Sequence, residues 1–209
     1  MTALNQKTVL MRADASLSVG SGHVMRLITL ATAMRASGYR AIFACRTPRG
    51  HLRTKIEANG FEFLELNNSA PPETCYAHSR WLEGTNSLAD ANECIAKANH
   101  AKISPHMVVM DHYALGEAWG TVIKHSWPRT ALFVVDDLAD RPHVCDLLLD
   151  QNPGRSTQDY STLLNTDCRV LTGPTYALLR DQFQPDAYQR SFLHRRSKAI
   201  LVCMGGADP

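Results

Sequence analysis

The sequence predicts an α/β domain with a Rossmann-like, mostly parallel sheet flanked by helices. Three observations carry this expectation. Short apolar runs such as Val9-Leu10-Met11, Met107-Val108-Val109-Met110 and Ala131-Leu132-Phe133-Val134-Val135 read as buried strands. Between them lie segments with apolar residues at helical spacing, and strands alternating with helices imply parallel pairing. Polar residues gather where the apolar runs stop, at Arg12-Ala13-Asp14, Asp111-His112-Tyr113, Asp136-Asp137 and Gln151-Asn152. Open parallel sheets bind ligands outside the carboxyl ends of their strands. Asp and Asn are also common wherever strands run into loops, so each single cluster stays open to either reading.

The first strand runs towards Val19-Gly20-Ser21-Gly22-His23-Val24-Met25-Arg26, a glycine turn that enters the first helix. The apolar face of that helix is Val24, Leu27, Ile28, Leu30, Ala31 and Met34. Gly20 and Gly22 are expected to let the backbone turn sharply and approach a ligand. A helix start at about Gly22 puts His23 in the first turn. The positive end of the helix disfavours imidazolium there, and a neutral ring can accept a proton, so His23 is a candidate general base. A first-turn histidine is equally at home as a surface residue or a cap. A nearby carboxylate such as Asp14 would oppose the helix. The turn is no dinucleotide fingerprint, since the third glycine would fall on Met25. It also lacks the Gly-Lys-Ser/Thr ending of a P-loop.

Gly38 marks the end of the first helix. Arg40–Cys45 is the expected second strand, His51–Asn59 a helix ended by Gly60, and Phe61–Leu66 an alternating third strand. Asn67–Thr74, with Pro71-Pro72, is a loop. Ser87–His100 reads as a helix presenting Leu88, Ala91, Ile95 and Ala98 to the core. Leu115–His125 is a further helix and Asp146–Asp150 a further strand. Pro185–Arg196 is expected to be a connecting helix. Ala199–Met204 then reads as a strand, and Gly205–Pro209 as the glycine turn of a phosphate-binding βα unit. The expected organisation is a first domain over 1–184, a linker over 185–197, and the start of a second domain over 198–209. The rest of that second domain, on the order of 100–150 residues, is expected to be missing.

A chain of 209 residues with 44% hydrophobic composition supports one domain with a sizeable core. The net charge of +2 and the lack of a basic stripe interleaved with aromatics argue against nucleic acid as a partner. Met1–Lys7 is polar, unlike a signal peptide, and no apolar run reaches membrane-spanning length. The six cysteines, at 45, 75, 94, 145, 168 and 203, form no Cys-x-x-Cys pair. No zinc site is expected, and a reducing cytoplasm is the expected compartment. Asp136 and Asp137 point opposite ways along a strand, so they suggest no metal either.

Six motifs occur together and in order. They are Arg12-Ala13-Asp14; Gly20-Ser21-Gly22-His23-Val24-Met25-Arg26; Asp111-His112-Tyr113; Asp136-Asp137 with His143-Val144-Cys145-Asp146; Gly173-Pro174-Thr175-Tyr176-Ala177-Leu178-Leu179-Arg180 with Phe183; and Cys203-Met204-Gly205-Gly206-Ala207-Asp208. In these motifs the chain resembles the UDP-2,4-diacetamido-2,4,6-trideoxy-β-L-altropyranose hydrolases of pseudaminic acid biosynthesis, a sugar used in flagellin glycosylation. These are relatives of the two-domain GT-B glycosyltransferases. The resemblance implies that this is the N-terminal half of such a fold, that the substrate is a UDP-sugar, and that water attacks the anomeric carbon with inversion. It implies His23 as the catalytic residue and Tyr113 near the sugar. Arg12, Asp14, Gly22 and Arg180 would face the cleft, and Gly205 and Gly206 would hold the diphosphate. It implies no cofactor, no metal, and a need for the C-terminal domain. Two alternatives stand beside it: a related glycosyltransferase using a hydroxyl where the hydrolase uses water, and an inactive fragment or binding module.

Overall fold

The computed structural model describes residues 6–67 and 87–183. Seven strands form one sheet in which every pairing is parallel: β1 (Thr8–Arg12), β2 (Arg40–Cys45), β3 (Glu62–Glu65), β4 (Met107–Met110), β5 (Ala131–Val135), β6 (Leu147–Asp150) and β7 (Arg169–Thr172). Their order across the sheet is β3-β2-β1-β4-β5-β6-β7. The helices are α1 (Gly22–Ala36), α2 (Arg53–Ala58), α3 (Ser87–His100) and α4 (Glu117–Ser126). The sheet grows outward in one direction from β1 to β3 and in the other from β4 to β7. The topological switch point therefore lies between β1 and β4, where such sheets open a crevice.

Side chains alternate between the faces of a strand, and here both faces are apolar. Val9, Met11, Phe43, Val109, Phe133 and Leu149 pack with α1 residues Val24, Leu27, Ile28 and Ala31. Leu10, Ile42, Val108, Leu132 and Leu148 pack with Ala91, Cys94 and Ala98 of α3 and with Trp119 and Ile123 of α4. Burial on both sides explains why the central strands read as continuous apolar runs. The predicted face of α1 is the one that packs on the sheet. Among the described residues, no helix is long and apolar enough to cross a membrane.

Three details depart from the sequence expectation. α3 is rotated: Asp90, Ala91, Cys94 and Ala98 are buried, while Leu88 is 45% exposed. The cause is Asp90, drawn inward by two arginines described below. β7 was not foreseen, because Arg169-Val170-Leu171-Thr172 is a short, half-buried edge strand with no apolar alternation of its own. Two helices start slightly later than expected, α2 at Arg53 and α4 at Glu117. The loop expected over 68–74, the helix over 185–196, the strand over 199–204 and the turn carrying Gly205 and Gly206 lie outside the described residues.

α4 meets the segment leading into β6 through Gly120. A Cβ there would overlap the carbonyl oxygen of Val144 and touch Leu132 Cδ2 at 3.4 Å. Alanine normally favours a helix over glycine by about 1 kcal/mol. Here the backbone carbonyl must shift, an overpacking cost of about 1–3 kcal/mol added on top of any lost packing. Gly120→Ala is therefore expected to lower the urea midpoint despite its better helix propensity. An unchanged or raised midpoint would show that α4 does not approach Val144 so closely.

Candidate active site

The floor of the switch-point crevice is a buried ion network. Arg12, at the end of β1, grips Asp90 of α3 with two bonds, Nε to Oδ1 at 3.0 Å and Nη2 to Oδ2 at 2.6 Å. Its Nη2 also lies 2.7 Å from Asp14 Oδ2. Arg46, just past β2, donates from Nη2 to Asp90 Oδ2 at 2.8 Å and to Glu93 Oε2 at 3.2 Å. The Arg46 backbone N–H donates to Asp14 Oδ1 at 2.7 Å, and Trp119 Nε1 donates to Asp90 Oδ1 at 2.9 Å. Two guanidiniums and two carboxylates are thus enclosed with their charges balanced. Burial opposes ionisation of Asp90, but the neighbouring guanidiniums outweigh it and bring its pKa to about 2. Asp14 is likewise held well below the ordinary carboxylate range, against burial, by Arg12 and His112.

Above this floor stands the start of α1. The chain leaves β1 and folds back in a short turn, with Gly20 N–H donating to Ser16 O at 2.9 Å and Val19 N–H to Ser16 Oγ at 2.9 Å. Gly20 sits at φ +81°, a left-handed conformation that glycine adopts without strain. Gly22 needs no such freedom, and a Cβ there would meet open space. His23 follows in the first turn and is 5% exposed.

The His23 ring is oriented by a carboxylate. Nδ1 lies 2.6 Å from Asp111 Oδ1, at the end of β4. Burial disfavours the charged form of Asp111, yet the Arg26 guanidinium and His23 hold it well below the usual carboxylate range. An ionised carboxylate can only accept, so it selects the Nδ1–H tautomer and puts the ring's lone pair on Nε2. Arg26 Nη2 is more distant from Nδ1, at 3.3 Å. Arg26 lies one turn along α1. It donates from Nε to Asp111 Oδ2, from Nη2 to Asp111 Oδ1 at 2.6 Å, and from Nη1 to Asp137 Oδ2 at 2.8 Å. Tyr113 stands edge-on to the His23 ring at 4.5 Å. Burial and a hydrogen bond to Asp137 keep its phenol protonated well past the usual tyrosine range.

A cavity of about 370 Å³ opens beside this group. Gly22, Met25 and Arg26 of α1 form one wall, and Gln151, Leu178 and Arg180 are on the other. The Arg180 guanidinium lies 5.1 Å over the Phe183 ring. Gln151 Oε1 accepts from the Leu178 N–H at 3.0 Å, which ties the segment after β7 to the end of β6.

The structure thus brings His23 and Tyr113 into contact and places Gly22 and Arg180 on one cavity. Arg12 and Asp14 were expected to face a cleft; instead both side chains are fully enclosed in the floor, because each finds its counter-charges inside the protein. The carboxylate beside His23 is Asp111, and Asp14 lies 3.4 Å from His112 Nε2 instead. Arg26, Asp111 and His112 stood inside motifs read from the sequence, the glycine turn and the strand-end cluster Asp111-His112-Tyr113, but were given no individual role there. Asp136 and Asp137 do point apart: Asp136 pairs with Arg141 at 3.0 Å, and Asp137 with Arg26.

Acid sensitivity follows from these groups, its sign set by which state binds more protons. Burial, with Arg141 adding to it, lowers His143 to about 4, and burial lowers His112 too. Unfolded histidine titrates at about 6.5, so stability is expected to fall as pH drops from about 6.5 to about 4. Asp90 titrates at about 2 when folded against about 3.9 when unfolded, so a second loss is expected between those values. Asp90→Asn leaves two buried arginines short of a counter-charge and is expected to cost about 3–5 kcal/mol at pH 7. Urea midpoints measured from pH 7 to 3 check both points. A flat profile, or an Asp90→Asn midpoint equal to wild type, would contradict the network.

No family model matches the chain. The chain is 29% identical over 202 residues to the UDP-2,4-diacetamido-2,4,6-trideoxy-β-L-altropyranose hydrolase of Campylobacter jejuni, a match covering 96% of this chain and 61% of that protein. It is 23% identical over 201 residues to an uncharacterized protein of Methanocaldococcus jannaschii, covering 94% of this chain and 36% of that protein. The chain therefore spans less than two thirds of the length of either relative. A solved glycosyltransferase from Rickettsia africae matches with a TM-score of 0.50 at 13% identity, over 81% of this chain and 43% of that one. Identity that low speaks for the fold alone. By fold the chain is a Rossmann-like domain whose parallel sheet and flanking helices match that solved glycosyltransferase, and along nearly its whole length its sequence is similar to the Campylobacter hydrolase.

Proposed function

We propose that this domain acts on a UDP-sugar and carries the general base of a hydrolase. The finer reading is release of UDP from UDP-2,4-diacetamido-2,4,6-trideoxy-β-L-altropyranose, the reaction named for the Campylobacter relative, within pseudaminic acid biosynthesis. The observation that carries it is the 2.6 Å bond between Asp111 and His23 Nδ1 at the switch-point crevice. That bond puts the lone pair on Nε2, and a base so oriented can take a proton from an attacking water. The water's oxygen bonds to the anomeric carbon, the bond from that carbon to the diphosphate oxygen breaks with inversion, and UDP leaves with the electron pair.

The other residues divide between orientation and binding. Arg26 holds Asp111 and Asp137 together, so the base and Tyr113 share one frame. Tyr113 packs against the ring and borders the sugar. Gly22 and Arg180 line the side of the substrate cavity. Arg12 and Asp14 act from beneath by fixing the strand end, with no contact to substrate. The diphosphate is assigned to backbone donors of a second domain, beginning with Gly205 and Gly206.

His23→Ala is expected to reduce UDP release by about 10²–10⁴-fold, the usual contribution of a general base, with the thermal midpoint little changed. The assay is UDP release without an acceptor, by this chain alone and by the chain joined to a second domain. Near-normal turnover by a folded His23→Ala protein would remove His23 from the mechanism. UDP release that depends on an added acceptor hydroxyl would favour a glycosyltransferase.

A further inference from the structure

A second pair of reactive groups lies at the far side of the sheet. Cys145 and Cys168 occupy the lead-ins to β6 and β7, adjacent parallel strands whose pairing starts at Leu147 and Arg169. Their sulfur atoms are 3.4 Å apart. One residue fixes both backbones: Asn165 Oδ1 accepts the Cys145 N–H at 3.2 Å, and its carbonyl accepts the Cys168 N–H at 3.2 Å. The lead-ins are further joined by Arg169 N–H to Asp146 O at 3.0 Å. Cys145 is buried and Cys168 is half-buried, so a reagent reaches the pair from the Cys168 side.

We propose that Cys145 and Cys168 are a redox-active dithiol, a modification site that a peroxide converts to an intramolecular disulfide. This does not depend on the reading of the His23 site. The Cys168 sulfur attacks one peroxide oxygen, the O–O bond breaks, and the departing oxygen takes up the thiol proton and leaves as water. Cys168 is then a sulfenic acid. The Cys145 sulfur attacks that sulfur, the S–O bond breaks, and the oxygen leaves as water with the Cys145 proton. Two thiols and one hydrogen peroxide become one disulfide and two waters, with two electrons passing from sulfur to oxygen. A disulfide needs its sulfurs about 2.05 Å apart, so the pair must close from the present 3.4 Å.

The local electrostatics assign the order of the steps. The contact between the two sulfurs lowers the Cys168 pKa, and the same contact together with burial raises Cys145. Cys168, the half-buried member of the pair, is the attacking sulfur: a peroxide reaches it first, and the thiolate is the nucleophile. Cys45 and Cys94 provide internal controls. Both are buried in the core, and burial raises both, Cys94 to about 12.

The test is exposure of the folded chain to a few equivalents of hydrogen peroxide, an N-ethylmaleimide quench, and non-reducing peptide mapping by mass spectrometry. The expected result is a Cys145–Cys168 peptide lighter by two hydrogens, reversed by dithiothreitol, with Cys45 and Cys94 alkylated only after denaturation. The oxidised chain should melt at a higher temperature, because the bridge closes a loop in the unfolded state. Cys145→Ser should leave a sulfenic acid on Cys168 that dimedone traps. The wild-type map is decisive even if that variant does not fold. Absence of the linked peptide, its formation only in denaturant, or oxidation of Cys168 beyond the sulfenic acid without a bridge would each overturn the proposal.

Discussion

The structure depends on the two-pronged grip of Arg12 on Asp90. Arg12 ends β1 and Asp90 lies in the first turn of α3, so this contact joins an interior strand to a helix that follows 75 residues of chain or so later. Replacing such a pair by apolar groups of equal volume is often neutral or stabilising. Its contribution here is therefore placement more than net stability. Asp90 turns α3 about its axis, brings Trp119 of α4 into hydrogen-bonding distance, and anchors Arg46 beside Asp14. The carboxyl ends of β1 and β2 and the starts of α3 and α4 are held by one set of charges.

The His23 group rests directly on that floor. β1 and β4 are neighbours in the sheet, and Arg12 pairs in register with Met110, the residue before Asp111. Whatever fixes Arg12 also fixes the backbone that presents Asp111. The base is thus referenced to the sheet by Asp111 and to the helix by its own peptide, with Arg26 spanning both. A site assembled from strand ends and a helix start is set by the rigid part of the fold, as functional geometry requires.

Most of the fold was legible because both faces of the sheet are buried, and runs such as Val108-Val109-Met110 have few alternatives to a central strand. The site was legible in part. The turn before α1 announced His23, and Tyr113 was flagged by its place after β4. What could not be read was pairing. Arg12 and Asp14 are charged residues at a strand end, the usual mark of a cleft. Only the fold shows that Asp90, 78 positions beyond Arg12, and Arg46 complete a balanced set of two guanidiniums and two carboxylates in which they are enclosed. The same ignorance of partners put Leu88 on the core face of α3 in place of Asp90. β7 escaped because an edge strand buries too little to leave a pattern.

The Arg46 cluster also fastens one further point of the chain. The Asn67 N–H donates to Glu93 Oε1 at 2.5 Å, and Arg46 Nη1 donates to the Asn67 carbonyl. Residue 67 is therefore anchored to α3, the same helix that begins at Ser87. Both attachment points of the intervening stretch are held by groups that do not belong to it. Glu93 thus serves two places at once: it accepts from the Arg46 guanidinium past β2 and from the residue-67 backbone past β3. A single carboxylate on α3 therefore references the ends of two neighbouring strands, and the charges beneath His23 reach to the edge of the sheet.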